Sequence, residues 1–174
     1  MGSSNPPLRK LCVTLKTGDP LLALNLEAEE NAIGPALNFM GTLWALKHAL
    51  EVTSKRMEQE LGITAPQRMT VRIVGRYPGI TASRVAKLLR VHRATVTVTV
   101  NRLEKRVIIK RGRDPLDNRR ITLTLTKDGQ ELDVPATGTV ESAVTHLLAN
   151  TSAHDLAITQ RSIHALISAL EAGR

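Results

Sequence analysis

Ala94-Thr95-Val96-Thr97-Val98-Thr99-Val100 is the stretch on which the reading of this chain turns. Taken alone, its strict alternation of Thr and Val spells a strand, since every residue after Ala94 is β-branched. Val96, Val100 and Leu103, however, fall at helical spacing, and the run passes unbroken into Asn101-Arg102-Leu103-Glu104-Lys105-Arg106. That continuity favours a helix, held by tertiary packing against its own propensity.

Working outward, Thr64-Ala65-Pro66 reads as an N-cap with Pro in the first turn of a helix reaching Arg76, with Met69, Ile73 and Val74 inward. Tyr77-Pro78-Gly79 ends it. Thr81 caps a short helix over residues 82–89 whose Val85, Leu88 and Leu89 face a core. Arg90-Val91-His92 then leads tightly into the Thr/Val segment. Two helices joined by a few residues, the second rich in Arg and Thr, outline a helix-turn-helix. Downstream, residues 108–111 and 120–126 read as strands, with Ile121, Leu123 and Leu125 on one face and Thr122, Thr124 and Thr126 on the other. The turn-rich Gly112-Arg113-Asp114-Pro115-Leu116-Asp117-Asn118-Arg119 between them makes a hairpin tip, a wing.

The flanks are helical. In residues 32–61, Ile33, Leu37, Met40 and Trp44 form one apolar stripe and Phe39, Leu43, Leu46 and Leu50 its neighbour, a width that implies burial between subunits. After Thr126-Lys127-Asp128-Gly129 a helical stretch runs to Leu148, split by Pro135 and Gly138. Ser152 and Asp155 resemble a capping box opening a last helix with Leu156, Ile163, Leu166, Ile167 and Leu170 on one side. Residues 1–30 read as weakly structured, with a short apolar turn at 21–26.

Charge is unevenly placed along the 174 residues. Residues 68–120 hold 15 Lys/Arg against Glu104, Asp114 and Asp117, a balance of +12. The remainder holds nine basic and 13 acidic residues, −4, so the whole carries +8. A basic centre between acidic ends is the electrostatic footprint of nucleic-acid binding. With only Phe39, Trp44 and Tyr77 as aromatics, the stacking platforms of single-stranded RNA recognition are lacking. No apolar run approaches the roughly 20 residues of a membrane span, the N-terminus lacks a signal-peptide core, and the single Cys12 makes no internal disulfide. A cytoplasmic setting is expected.

Ile80-Thr81-Ala82-Ser83-Arg84-Val85-Ala86, Thr95-Val96-Thr97 with Asn101-Arg102-Leu103-Glu104, and above all Arg113-Asp114-Pro115-Leu116-Asp117-Asn118-Arg119-Arg120 ending in Leu125-Thr126-Lys127-Asp128-Gly129 resemble the MarR family of bacterial winged helix-turn-helix regulators. The resemblance spans about residues 39–170. It implies a mostly α fold with a small β wing, working as a homodimer. It implies an arm and dimerisation helix at 1–61, a DNA-binding domain at 62–126 and dimerisation helices at 127–174. It further implies a recognition helix in the major groove, a wing arginine in the minor groove, and a small-molecule effector or a redox cysteine. Two departures stand out: Arg90 and Val107 occupy positions where the family usually has Gly and where φ > 0 is needed. Val98 stands where a polar or basic base-reader is common.

For double-stranded DNA carrying an inverted repeat, Arg93, Thr95 and Thr97 lie nearest the base edges. Arg102 sits nearer the backbone or wing, where a salt bridge inside the domain is an equal reading. Arg84, Lys87, Lys110 and Arg111 suit phosphates. In the wing, Arg113, Arg119 and Arg120 flank Asp114 and Asp117; one arginine is expected to pair with an aspartate and stiffen the hairpin. The resemblance favours Arg119 for the minor groove. No phosphate loop, nucleophile elbow or metal-spaced Cys/His cluster is visible, so neither catalysis nor a cofactor is expected. The scattered His48, His92, His146, His154 and His164 make a metal sensor a minor alternative. Cys12 leaves open a redox-sensing regulator, though it more often acts as a small hydrophobe. A non-sensing accessory DNA-binding protein is the third alternative.

Overall fold

The computed structural model describes residues 33–173. The elements are α1 (Pro35–Leu61), α2 (Ala65–Arg76), α3 (Ala82–Leu89), α4 (Arg93–Lys105), β1 (Ile109–Arg113), β2 (Ile121–Leu125), α5 (Lys127–Leu132), α6 (Val140–Ala149) and α7 (Ala153–Ala172). The chain divides into compact units at 1–47 and 48–174, and α1 begins in the first and ends in the second. Cys12 and the short apolar turn at 21–26 lie outside the described residues.

The Thr/Val stretch is helical. Val96, Val100 and Leu103 are the buried residues of α4, each at most 1% exposed. Burying three such side chains is worth about 5–9 kcal/mol. Six successive β-branched residues cost a helix at most about 4 kcal/mol in propensity. Packing therefore overrides the local preference for strand.

Caps set the ends of the neighbouring helices. Thr64 and Gln67 form a reciprocal capping box at α2, with Pro66 in the first turn, and Ser54 Oγ accepts from the Ala65 amide at 3.0 Å. Thr81 caps α3 through the Arg84 amide. β1 and β2 pair antiparallel from Ile109↔Leu125 to Arg113↔Ile121, and Ile80 bridges Leu123 on the other edge. One core joins Ile63, Val71, Val74, Val85, Val96, Val100, Leu103, Ile108, Ile109 and Leu123.

Three residues expected to point inward do not. Met69 is 54% exposed because the buried positions of α2 are Gln67, Arg68, Thr70, Val71 and Val74, which put Met69 on the outer side. Leu88 is 42% exposed, since Val85 and Ala86 are the buried residues of α3. Ile121, 48% exposed, pairs with Arg113 at the far end of the hairpin, beyond the core.

The glycine-like positions are left-handed, as expected: Arg90 has φ 55° and Val107 φ 58°. Both close Schellman motifs. After α4, the Val107 amide donates to Glu104 O and the Ile108 amide to Leu103 O, each at 2.9 Å. After α3, the Arg90 amide donates to Lys87 O at 3.3 Å and the Val91 amide to Ala86 O at 3.1 Å. A β-branched residue is the costliest choice for such a turn, and Val107, 61% exposed, recovers little by packing. Val107→Gly is accordingly expected to stabilise the fold by about 1 kcal/mol, after the extra freedom glycine gives the unfolded chain is deducted. Thermal unfolding should show a midpoint higher by about 2–4 °C; a lower midpoint would contradict the strain.

Thr126 caps α5 by accepting from the Gly129 amide at 3.1 Å, while its own hydroxyl donates to Val107 O at 2.5 Å. A Cβ on Gly129 would stand 2.1 Å from Ile108 O. The Leu-Thr-x-x-Gly string is thus explained: the threonine ties α5 to the start of the wing, and only glycine lets the two approach. The stretch after α5 splits where Pro135 and Gly138 stand, and α6 restarts at Thr139 with its own capping box to Ser142. Ser152 caps α7 by accepting from the Asp155 amide at 3.1 Å. Neither α6 nor α7 contains a buried residue. Val144, Leu147, Leu148, Ile158, Ile163, Ile167 and Leu170 are all exposed apolar side chains.

Candidate nucleic-acid interface

The core holds α3 and α4 in a helix-turn-helix with the hairpin beside α4. Arg84 and Lys87 are exposed on α3, and Arg93, Thr95, Thr97 and Arg102 are exposed on α4. The Thr97 hydroxyl donates to Arg93 O at 3.0 Å, and the Thr99 hydroxyl to Thr95 O at 3.0 Å. Arg102 forms no ion pair among the described residues. It lines, with Thr64, Pro66, Gln67, Thr95, Val98 and Thr99, an open cleft of about 410 Å³ between the start of α2 and α4.

The wing aspartates work chiefly on the backbone. Asp114 Oδ1 accepts from the Leu116 amide and Asp117 Oδ1 from the Arg119 amide, both at 3.0 Å. These are Asx turns, the reason Asp suits both positions. The Asp114 amide also donates to Arg120 O at 3.0 Å, and the Arg120 amide to Asp117 O at 2.9 Å. The expected arginine–aspartate pair is a loose one, Arg120 to Asp114 at 3.8 Å. The Arg113 and Arg119 guanidinium groups have no partner among the described residues, and Leu116 at the tip is 98% exposed.

Two basic residues are placed differently from the rest. Arg111 donates to Asn101 Oδ1 and pairs with Glu104 at 3.4 Å, tying β1 to α4. That contact gives Asn101 and Glu104, three residues apart on one helix face, a physical reason to belong together. Lys110 lies on the other side of the hairpin, in a cleft of about 380 Å³ with Val74, Gly75, Pro78 and Asp133. It is not grouped with α4.

The sequence reading missed an arginine pair in α2. Arg68 is 3% exposed. It donates to Leu132 O at 3.0 Å, Val134 O at 2.6 Å and Glu141 at 3.0 Å. Arg72 meets Glu141 at 2.9 Å and Asp133 at 2.7 Å. Burial works to lower the basicity of Arg72, but its hydrogen bond to Asp133 and the charges of Glu141 and Asp133 outweigh it, and the pKa is raised. Thirteen of the fifteen basic residues therefore remain for the outer surface of this segment. The spacing of Arg68 and Arg72, one helical turn apart with acids only far downstream, was the available signal.

Residues 63–121 match the model of the MarR family. This segment is MarR-like. The matched part runs from just before α2 to the start of β2, so it holds the helix-turn-helix and the whole wing tip. An organic hydroperoxide resistance transcriptional regulator of Bacillus subtilis is 26% identical over 100 residues, 55% of this chain and 68% of that one. Among solved structures, Streptococcus pneumoniae FabT in complex with DNA superposes with a TM-score of 0.58 at 24% identity, covering 80% of this chain and 100% of that chain. The PcaV transcriptional regulator of Streptomyces coelicolor, in complex with its natural ligand, gives 0.59 at 24% identity, covering 80% and 95%. These likenesses establish the winged-helix fold. Among the described residues no helix is long and apolar enough to cross a membrane.

Proposed function

We propose that this protein is a MarR-family regulator of transcription, non-catalytic and sequence-specific, that binds double-stranded DNA in the cytoplasm as a homodimer. The observation that supports the reading is that the winged-helix elements carry exposed cations without ion-pair partners among the described residues: Arg84 and Lys87 on α3, Arg93 and Arg102 on α4, Arg113 and Arg119 on the wing. Of the site residues expected from sequence, α4 offers Thr95 and Thr97 to base edges. The wing offers Arg119 to the minor groove, whose narrow form concentrates negative potential. Arg111 and Arg120 act there mainly as struts through Glu104 and Asp114. Asp114 and Asp117 stiffen the wing.

The reading keeps three parts: residues 1–61 and 127–174 for dimerisation, 62–126 for DNA. The exposed apolar side chains of α6 and α7 support the dimer, because faces of this kind call for a partner. Two-fold symmetry then calls for an inverted repeat with half-sites about one helical turn apart. Sedimentation at micromolar concentration should give twice the chain's 19.0 kDa; a single-chain species would remove the two-fold argument. Release by a small effector belongs to the same reading: a ligand in the cleft beside α4 would touch Thr95, Val98 and Arg102, the helix surface offered to DNA.

Thr97→Ala and Arg119→Ala test the division of labour. Loss of Arg119 should weaken operator and scrambled duplexes alike and flatten the salt dependence. Loss of Thr97 should narrow the gap between the two duplexes by about 1–3 kcal/mol. Equal, uniform losses from both variants would refute the assignment, and no loss from either would count against the DNA-binding surface itself.

A further inference from the structure

Over its first two turns, the side of α4 that faces away from the core is apolar, before Asn101, Arg102 and Lys105 take it over. Its inward ridge is Val96, Val100 and Leu103. At about 100° per residue, Ala94 and Val98 lie within roughly 30° of the opposite direction. Both are exposed, Val98 by 51%. Neither side chain has a donor or an acceptor. Beside them Thr97 has committed its hydroxyl proton to Arg93 O at 3.0 Å, so it offers a groove only a methyl group and an acceptor lone pair. The same two helices carry exposed cations without ion-pair partners among the described residues: Arg93 and Arg102 on α4, Arg84 and Lys87 on α3.

An apolar ridge on a helix that also carries unpaired positive charge fits an apolar group flanked by phosphates. In the major groove that group is the C5-methyl of thymine, the one apolar feature on a base edge. We propose that Ala94, Val98 and the methyl of Thr97 read thymine C5-methyl groups at the centre of each half-site. Hydrogen bonds to bases are left to the flanking Arg93 and Thr95. The proposal rests on α4 entering the major groove and adds what it reads there. Valine at position 98, where a polar reader is common in the family, is then a specificity determinant in its own right.

The test begins with duplexes selected by the full chain from random-sequence DNA. Half-site thymines are then replaced by uracil, which keeps every hydrogen-bonding group and removes only the methyl. Affinity should fall about three- to tenfold for each contacted methyl, the worth of one buried carbon. Val98→Ala should lose a similar factor on the thymine duplex and almost nothing further on the uracil duplex, since both changes delete the same contact. Val98 is exposed and alanine favours helix, so the variant should fold; far-UV circular dichroism checks this. Equal binding of thymine and uracil duplexes would overturn the proposal, as would an identical Val98→Ala loss on both. So would a selected site without thymine at the half-site centre. In each of those cases salt-sensitive DNA binding itself would persist. If no duplex binds in a salt-sensitive way, the DNA-binding reading falls and this proposal falls with it.

Discussion

Replacing Arg68 by alanine is expected to lower the unfolding free energy by about 2–4 kcal/mol, chiefly through the backbone acceptors it leaves without a donor. The guanidinium is almost wholly buried and satisfies three acceptors at once: the carbonyls of Leu132 and Val134 and the Glu141 carboxylate. The Leu132 carbonyl ends α5 and the Val134 carbonyl belongs to the connection to α6, which has no regular hydrogen-bonding ladder of its own. Alanine would leave these part-buried carbonyls without their donor, at about 1–3 kcal/mol each where water does not replace it. Arg72 limits the damage on the acidic side, because it still holds Glu141 at 2.9 Å. Glu141→Gln, which keeps a side-chain acceptor, should cost distinctly less. Urea unfolding of both variants is the measurement. A loss under about 1 kcal/mol for Arg68→Ala would mean that the α5–α6 connection is not anchored by this residue.

That same arginine marks a limit of what the amino-acid order reveals. Periodicity finds elements by assuming that apolar residues face inward, and it works where that assumption holds. Val96, Val100 and Leu103 exposed the helix hidden in a strand-like string. Thr64, Thr81, Thr126 and Ser152 announced helix starts because a short hydroxyl can satisfy an orphan amide. The wing was legible from Asp, Pro and Gly, although the aspartates proved to grip backbone amides more than arginine side chains. The left-handed conformations at Arg90 and Val107 were legible only through the family resemblance, since neither residue type signals φ > 0.

A buried arginine violates the assumption itself. Arg68 and Arg72 counted toward a basic surface until Asp133 and Glu141, more than 60 residues downstream, were seen beside them. Met69 and Leu88 err the other way, for hydrophobic character alone does not say which side of a helix the core occupies. Arg111 shows the same difficulty at the candidate interface. A basic wing residue reads as a phosphate ligand, yet Asn101 and Glu104 hold it as a brace between β1 and α4.

The separation of braces from free cations leads to the largest effect expected of this molecule. Affinity for its DNA site should fall by about a thousandfold or more when salt rises from 50 to 200 mM, as for a protein neutralising six or more phosphates. Each protomer offers Arg84, Lys87, Arg93, Arg102, Arg113 and Arg119 without internal ion pairs on the winged-helix surface. If only three of these six meet phosphates, a dimer already reaches that number. Each neutralised phosphate adds about 0.9 to the slope of log K against log salt. Lys87→Ala should therefore flatten the slope by nearly two per dimer. Arg72→Ala should leave the slope unchanged at temperatures where it stays folded, because its charge is spent on Asp133 and Glu141. Binding titrations of the two variants at four or five salt concentrations distinguish a cation that displaces counterions from one that does not. A slope near zero for the unsubstituted protein would show that the basic surface is not where DNA binds. A slope flattened equally by Lys87→Ala and Arg72→Ala would show that the buried network, rather than direct phosphate contact, sets the affinity.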